Sequence, residues 1–424
     1  MQNITKKMMP ITTPKLKVLI SGAGIAGPCF AYWLARAGPN ASVKVIERSP
    51  VPRTTGQAID IHGAAVKIAK KMNIEEAIRA RTTTEAGTML LNSSRKPFAT
   101  FTVGDTFTSR YEILRADLSD LLLEASKTFD NINYKYGDFV QSLNQTETGV
   151  DVIFNGGSKE TFDLVVGADG STSKIRSMVL DKEALKDSYN FIGQYIAFFS
   201  IPSQPNDSKF WEIFNAPKGL CMMTRPHRNP STKGVYLCIT MPKHGIRDPV
   251  VEKAMEEGIE ATKRMLHSYF ENGGWEAKQI LEGLDKSDDF YMTKAAQVKV
   301  PKWTNGRAVV IGDAAMATFG VGTTLAIDSA YILAGELSRI RSSAEIPEAL
   351  QRYEKTFRPI YKTMEDLPPG FPQFAIPQTR WGMWIRDSII WFICKTKVHK
   401  LFPEGGNTDH ELPEYDWIKV ETER

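Results

Sequence analysis

Lys17-Val18-Leu19-Ile20-Ser21-Gly22-Ala23-Gly24-Ile25-Ala26-Gly27-Pro28 sets an apolar run directly before G-A-G-I-A-G. A second apolar run, Val43-Lys44-Val45-Ile46, ends on Glu47, 20 positions after Gly27. The pattern reads strand, tight turn, helix, strand. Gly22 permits the turn, Gly24 lets the backbone approach a pyrophosphate, and Gly27 lets the helix pack close to the strand. Ala23, Ile25 and Ala26 complete the turn and the helix start, which aims free N–H groups and the positive dipole end at the phosphates. Pro28 falls in the first helical turn, where its missing N–H costs nothing. Glu47, with Arg48 beside it in the candidate site, stands where a carboxylate meets a ribose diol. A bare GxGxxG occurs in ordinary turns. Strand, turn, helix, strand and acid in one unit point to a dinucleotide.

The rest of the composition narrows the class. A chain of 424 residues suggests two or three domains. Its 42% hydrophobic and 24% charged content is that of a globular protein. A net charge of +4, with no dense Lys/Arg run interleaved with aromatics, gives no case for nucleic acid. Cys29, Cys221, Cys238 and Cys394 are far apart and form no CxxC, so reduced, mostly structural thiols in a reducing, cytoplasmic setting are expected. The six histidines form no HExxH-type pair, and no metal is expected. Residues 1–14 read as a short disordered leader, because Lys6 and Lys7 are not followed by an apolar signal segment. No stretch approaches the ~20 apolar residues of a membrane span.

Along the chain, residues 64–81 read as a helix and 85–111 as strand-like. A helix is expected over 115–128, with Leu118, Leu121, Leu122 and Ala125 on one face. Strands follow at 133–143 and 150–154. From 181 the segments 195–201, 211–214 and 235–241 read as sheet strands, then a helix at 250–272 and a polar connector. Strand character returns at 308–311, followed by helices at 323–341 and 346–366. The order implies an α/β protein: a Rossmann-type dinucleotide-binding domain in two pieces, 15–180 and 290–370, and an inserted β-sheet substrate domain, 181–289. A C-terminal helix and tail, 371–424, follow. The strands near 85–111 are expected to join the substrate sheet.

Two more strand ends carry acids. Leu164-Val165-Val166-Gly167-Ala168-Asp169-Gly170 leads to a helix start capped by Ser173. Ala308-Val309-Val310-Ile311-Gly312-Asp313 again ends a strand in Gly-Asp before a helix. Ligands of open α/β sheets bind outside the carboxyl ends of strands, and three such ends are hard to explain as ordinary turns.

Together, over about residues 15–370, these motifs resemble the class A FAD-dependent monooxygenases. That group is built like p-hydroxybenzoate hydroxylase and includes the tetracycline-inactivating enzymes. The resemblance implies FAD as cofactor, with the GxGxxG on Gly22, Gly24 and Gly27 and the ribose acid on Glu47. It also implies a flavin-side Gln57 in Gly56-Gln57-Ala58-Ile59-Asp60 and a flavin-contacting Arg115 that opens a helix. Asp169 is associated with both FAD and pyridine nucleotide, Asp313 with the ribityl or ribose part. Gly322 and Thr323 start the helix after the loop that lies beside the flavin ring. One departure stands out: Met316 replaces the usual His or Tyr, and the loop from Ala317 to Val321 is shorter than in relatives.

The activity implied is reduction of FAD by NADPH or NADH. Dioxygen then attacks an apolar aromatic or polycyclic substrate by way of a flavin C4a-hydroperoxide, in hydroxylation or epoxidation, within secondary metabolism or xenobiotic modification. The altered loop leaves open an oxidase, cyclase or isomerase, and a Baeyer–Villiger outcome also remains open. A nucleotide fold kept for structure alone is the non-catalytic alternative. Tyr195, Tyr236, Arg225 and His227 lie in the expected substrate sheet, but the residues name no catalytic base. Residues 377–400 carry Trp381, Trp384, Trp391 and Phe392 among Arg380, Arg386, Lys395 and Lys397. Such a helix can cap the core or the pocket, the favoured reading, or lie peripherally on a membrane. Monomer and dimer remain equally open.

Overall fold

The computed structural model describes residues 16–38, 40–52, 56–104, 109–401 and 408–418. The leader expected over 1–14 lies outside them. The nucleotide sheet has six strands in the spatial order Thr304–Asn305, Ala308–Val310, Leu164–Gly167, Leu16–Ser21, Ala41–Glu47 and Ile132–Tyr136. All neighbours run parallel except the Thr304–Asn305 edge. Helices cover parallel strands on both faces, so such strands need apolar side chains in both directions. Val18, Leu19 and Ile20 are accordingly all buried. The helix Ala26–Arg36 packs on this sheet beside Gly322–Leu337. The order places four adjacent strand ends, those after Ser21, Glu47, Gly167 and Val310, along one rim.

The second sheet has seven strands in the order Tyr291–Val298, Tyr189–Pro202, Thr232–Thr240, Leu220–Pro226, Trp211–Ala216, Gly87–Leu91 and Pro97–Thr102. The strands near 85–111 thus pair into it, through Gly87–Leu91 beside Trp211–Ala216. One face carries Tyr195, Ala197, Phe199, Met222 and Leu237. It is buried against the helices Pro249–Glu257, Ile259–Phe270 and Ala277–Lys286.

Several boundaries differ from the sequence reading. The helix expected over 64–81 is two, Gly63–Lys71 and Glu75–Ala80, interrupted where Asn73 takes φ 59°. The helix expected over 250–272 is broken at Gly258, whose φ of 108° no other residue type adopts readily. The polar connector after it holds the helix Ala277–Lys286, with Ala277, Ile280, Leu281 and Leu284 buried on one face. The boundary at 290 also moves, because Tyr291–Val298 pairs with Tyr189–Pro202 in the larger sheet and not with the nucleotide strands.

The C-terminal helix Arg380–Thr396 starts where the Thr379 hydroxyl accepts the Gly382 N–H at 3.0 Å. Its inner face caps the second sheet: Ile390 and Cys394 pack on Leu90, Ala99 and Phe101. No described helix is long and apolar enough to cross a membrane.

Residues 408–418 then cross the nucleotide domain as a strap. Trp417 packs at a tilt on Trp33, ring centroids 4.6 Å apart, and the Tyr415 ring lies on Gly335, where a Cβ would come within 2.2 Å of it. The strap brings His410 Nε2 to 3.5 Å from Asp328 Oδ2, and neither oxygen of the Asp328 carboxyl has a hydrogen-bond partner among the described residues. Burial pushes the Asp328 carboxyl far above the ordinary carboxylate range and His410 below the ordinary imidazole value. A carboxyl whose folded-state pKa is raised contributes stability that is complete below its unfolded pKa and is lost as pH rises. Asp328→Asn is therefore expected to stabilise the fold increasingly as pH rises from 5 to 8. Denaturant midpoints across that range test it, and a gap independent of pH would refute the assignment.

Candidate functional site

Between the nucleotide-sheet rim and the free face of the second sheet lies a cavity of about 910 Å³, at the upper end of the usual ligand range of roughly 300–1,000 Å³. Every residue predicted from the sequence to bind the nucleotide lines it except Gly27. Gly27 acts from behind: a Cβ there would lie 2.0 Å from the Gly22 carbonyl oxygen. Gly22, at φ 114°, leaves no room either, since a Cβ would lie 2.3 Å from the Ala168 carbonyl oxygen. Gly24 is different, because a Cβ there would meet nothing within 4 Å. The turn is thus packed tightly at two glycines and open to the cavity at the third. No side chain caps the Ala26–Arg36 helix, so its first-turn N–H groups remain for an anion.

Glu47 holds the turn. Its Oε2 accepts the Ala23 N–H at 3.0 Å and its Oε1 the Ser49 N–H at 2.9 Å. Arg115 is the first residue of the helix Arg115–Lys127, and its N–H donates to the Gln57 carbonyl at 2.9 Å. Among the described residues its guanidinium has no carboxylate partner, nor does that of exposed Arg48. A cation at a helix start is electrostatically unfavourable unless an anion joins it. The Asp313 carboxylate lines the cavity without a hydrogen-bond partner among the described residues. It lies 3.3 Å from where a Cβ on Gly322 would sit. Gly322 and Thr323 open the helix Gly322–Leu337, again without a side-chain cap. Although the preceding loop is short, it still lines the cavity, through Thr318, Phe319, Gly320 and Val321.

Two predicted residues are engaged otherwise than the resemblance implies. The Asp169 carboxylate is turned to its own chain. It accepts from the Ser173 hydroxyl and from the N–H groups of Lys174 at 2.9 Å and Ile175 at 3.2 Å. Burial pushes it above the ordinary carboxylate range while those donors oppose the shift. Beside it, Arg176 is buried and donates to the Ala314 and Ser171 carbonyls, tying two strand ends together. The Gln57 carboxamide oxygen accepts from the Tyr291 hydroxyl, so this side chain is anchored to the second sheet.

The second sheet contributes a floor that the motifs did not reveal. Ile196 and Phe198, Ile213 and Asn215, Cys221 and Met223, and Tyr236 and Cys238 alternate along four neighbouring strands and all face the cavity. The register stacks them in rows: Asn215 lies opposite Cys221, and Cys221 opposite Cys238. Period-two alternation carries this signal once one knows which face the helices cover. Cys221 is inert, its thiol pushed up to about 12 by burial, and all four cysteines are free. Of the four side chains weighed as catalytic, Arg225 and Tyr236 reach the cavity. Tyr195 points to the helix face, where its hydroxyl donates to Glu252 at 2.7 Å, and His227 Nδ1 pairs with Thr232 Oγ1 at 3.2 Å. Among the described residues no cluster of His, Cys, Asp and Glu could hold a metal ion.

The FAD binding domain family matches residues 15–367. The chain belongs to this family. A monooxygenase of Cercospora beticola is 34% identical over 417 residues, spanning 95% of this chain and 98% of its own. An FAD-dependent monooxygenase of Sarocladium schorii is 31% identical, over 91% of this chain and 94% of its own. The crystal structure of the tetracycline destructase Tet(51) superposes with a TM-score of 0.71 at 28% identity. It covers 96% of this chain and 100% of its own. The protein is an FAD-dependent monooxygenase, and FAD is its cofactor. The open Gly24, the unpartnered Arg115 and Asp313 and the uncapped helix starts are chemically suited to that cofactor. They offer donors and a cation to phosphates and acceptors to ribityl and ribose hydroxyls.

Proposed function

We propose that the enzyme uses NADPH or NADH and dioxygen to hydroxylate or epoxidise an apolar aromatic or polycyclic small molecule of secondary metabolism. The observation that carries this reading is the alternating apolar floor of the second sheet, facing the rim of strand ends across one continuous cavity. Bound FAD supplies the redox chemistry, reduction by a nicotinamide and activation of dioxygen.

The chain's own residues bind, orient and exclude water. Gly24 and the Ala26–Arg36 helix start receive the pyrophosphate, Glu47 the ribose diol and Asp313 further hydroxyls. Phe198, Tyr236 and Tyr291 form an aromatic group, with Phe198 to Tyr291 at 5.0 Å. The Tyr236 hydroxyl accepts the Ala58 N–H at 3.0 Å, which fixes the flavin-side strand against the sheet. Ile196, Ile213, Met223 and Ile390 give a substrate an apolar bed that sheds water from the reacting region. The relatives named as monooxygenases in fungi support an oxygenation of this kind.

The test is to mix the FAD-loaded protein anaerobically with NADPH, follow bleaching of the flavin absorbance, and then admit oxygen with a panel of polycyclic phenols. The expected result is bleaching, substrate-stimulated NADPH consumption and a product heavier by one oxygen atom. Bleaching with stoichiometric hydrogen peroxide across the panel would favour the oxidase reading. Flavin that neither NADPH nor NADH bleaches, with or without substrate, would overturn nicotinamide use.

A further inference from the structure

The helix Arg380–Thr396 has two faces of different purpose. At 100° per residue, Met383, Arg386, Ile390 and Cys394 fall on the inner side, and Arg386 and Ile390 line the cavity. The opposite arc, about 100° wide, carries Trp381, Trp384, Ser388, Trp391, Phe392 and Lys395. Trp381 is 72% exposed, Trp384 64%, Phe392 59% and Trp391 51%. Large aromatics are ordinarily covered, and a contiguous exposed group of them marks an interaction surface.

The charges select the partner. From 378 to 401 the sequence has five Lys or Arg residues against one acid, Asp387. Asp387 is already paired with buried Arg386 at 2.6 Å. The outer arc is therefore aromatic and cationic, with Arg380 at one end and Lys395 and Lys397 at the other. A second copy pairing through this same face would bring the same cations and no acid beyond the already paired Asp387. Phospholipid headgroups bring the acid, and indole rings settle at the boundary between headgroup and acyl chain.

We propose that this outer face seats the enzyme on an anionic phospholipid bilayer, the helix lying in the plane of the interface. The indoles of Trp381, Trp384 and Trp391 and the Phe392 ring enter the boundary. Arg380 and Lys395 meet headgroup phosphates. The cavity then lies one helix diameter, about 10 Å, from the membrane surface, because the same helix lines it from within. The proposal is independent of the reaction the enzyme performs.

Flotation of the FAD-loaded protein tests it, with phosphatidylcholine vesicles alone and with vesicles of seven parts phosphatidylcholine to three parts phosphatidylserine. The protein should float with the anionic vesicles, less so in high salt. Trp384→Ser/Trp391→Ser should weaken binding tenfold or more, roughly the loss of two interfacial aromatic anchors, with FAD content and denaturant midpoint unchanged. Lys395→Glu should weaken binding to anionic vesicles alone, and it decides the matter should the tryptophan variant lose its flavin. Absence of flotation with either vesicle, or equal flotation of parent and variants, would overturn the proposal. So would a solution dimer that the tryptophan variant breaks while no vesicle binds, which would assign the face to a second copy.

Discussion

Gly24→Val is expected to leave the fold intact and to weaken FAD binding by a hundredfold or more, about 3 kcal/mol. The expectation rests on a contrast within one hexapeptide. At Gly22 and Gly27 a side chain would strike backbone oxygen at 2.3 and 2.0 Å, so substitution there damages the apoprotein as well. At Gly24 a Cβ meets nothing within 4 Å, and its backbone is outside the left-handed region. The added methyl groups of valine then stand in the space by which a pyrophosphate approaches the turn. Apoprotein denaturation should place the variant within about 0.5 kcal/mol of the parent. Fluorescence titration with FAD should show the affinity loss. The parent alone should then gain stability from added FAD, as mass action requires. A variant that binds FAD as tightly as the parent would put the phosphates elsewhere in the cavity.

The same hexapeptide explains why this half of the site was legible in the sequence. Strand, glycine turn, helix start and acid are set by neighbours in the chain, so residue types and spacing carry the geometry. The three acidic strand ends belong to one run of parallel strands, with Leu16–Ser21 between the strand of Glu47 and the other two, and reading each as a strand end was enough to bring them together. What the carboxylates do there was less legible. Asp169 is drawn to Ser173 and the helix Lys174–Val179, a local capping contact that competes with any ligand. Gln57 is held by Tyr291 across 234 positions of chain, a pairing no local pattern could announce.

The half of the cavity floored by the second sheet was hidden for another reason. Tyr189–Pro202 is apolar on both faces: Tyr195, Ala197 and Phe199 enter the helix-covered core, while Ile196 and Phe198 face the cavity. Alternation of polarity cannot say which set looks at the ligand when neither is polar. The decision belongs to Ala277–Lys286 and its neighbouring helices, which cover one face. That helix had a usable signal in Ile280, Leu281 and Leu284, obscured by the surrounding charges of Lys278, Glu282, Asp285 and Lys286.

Arg225→Leu is expected to destabilise the protein by roughly 3–5 kcal/mol, because it strands two buried carboxylates. Arg225 sits on the strand Leu220–Pro226. Its guanidinium forks onto Glu85 at 2.8 and 3.2 Å and also donates to Glu112. All three side chains are almost fully buried. Glu112 belongs to the strand Glu112–Leu114, paired with the strand Ala58–Asp60, and also accepts from Thr83 at 2.7 Å. The guanidinium lies 4.1 Å over the Trp211 ring, at the cavity edge. Burial works against its charge, but Tyr236, Glu85 and Asp60 outweigh that and hold its pKa above the ordinary arginine value. One cation thus fastens the second sheet to the paired strands Ala58–Asp60 and Glu112–Leu114. Leucine preserves much of the apolar stem but supplies no positive charge to either carboxylate. Denaturant midpoints of the apoprotein measure the loss. Adding Glu85→Gln and Glu112→Gln to the variant should recover a large part of it, since amides in place of the two anions carry a far smaller burial cost. A triple variant no more stable than Arg225→Leu alone would show that the single substitution acts through lost packing on Trp211 instead of through stranded charge.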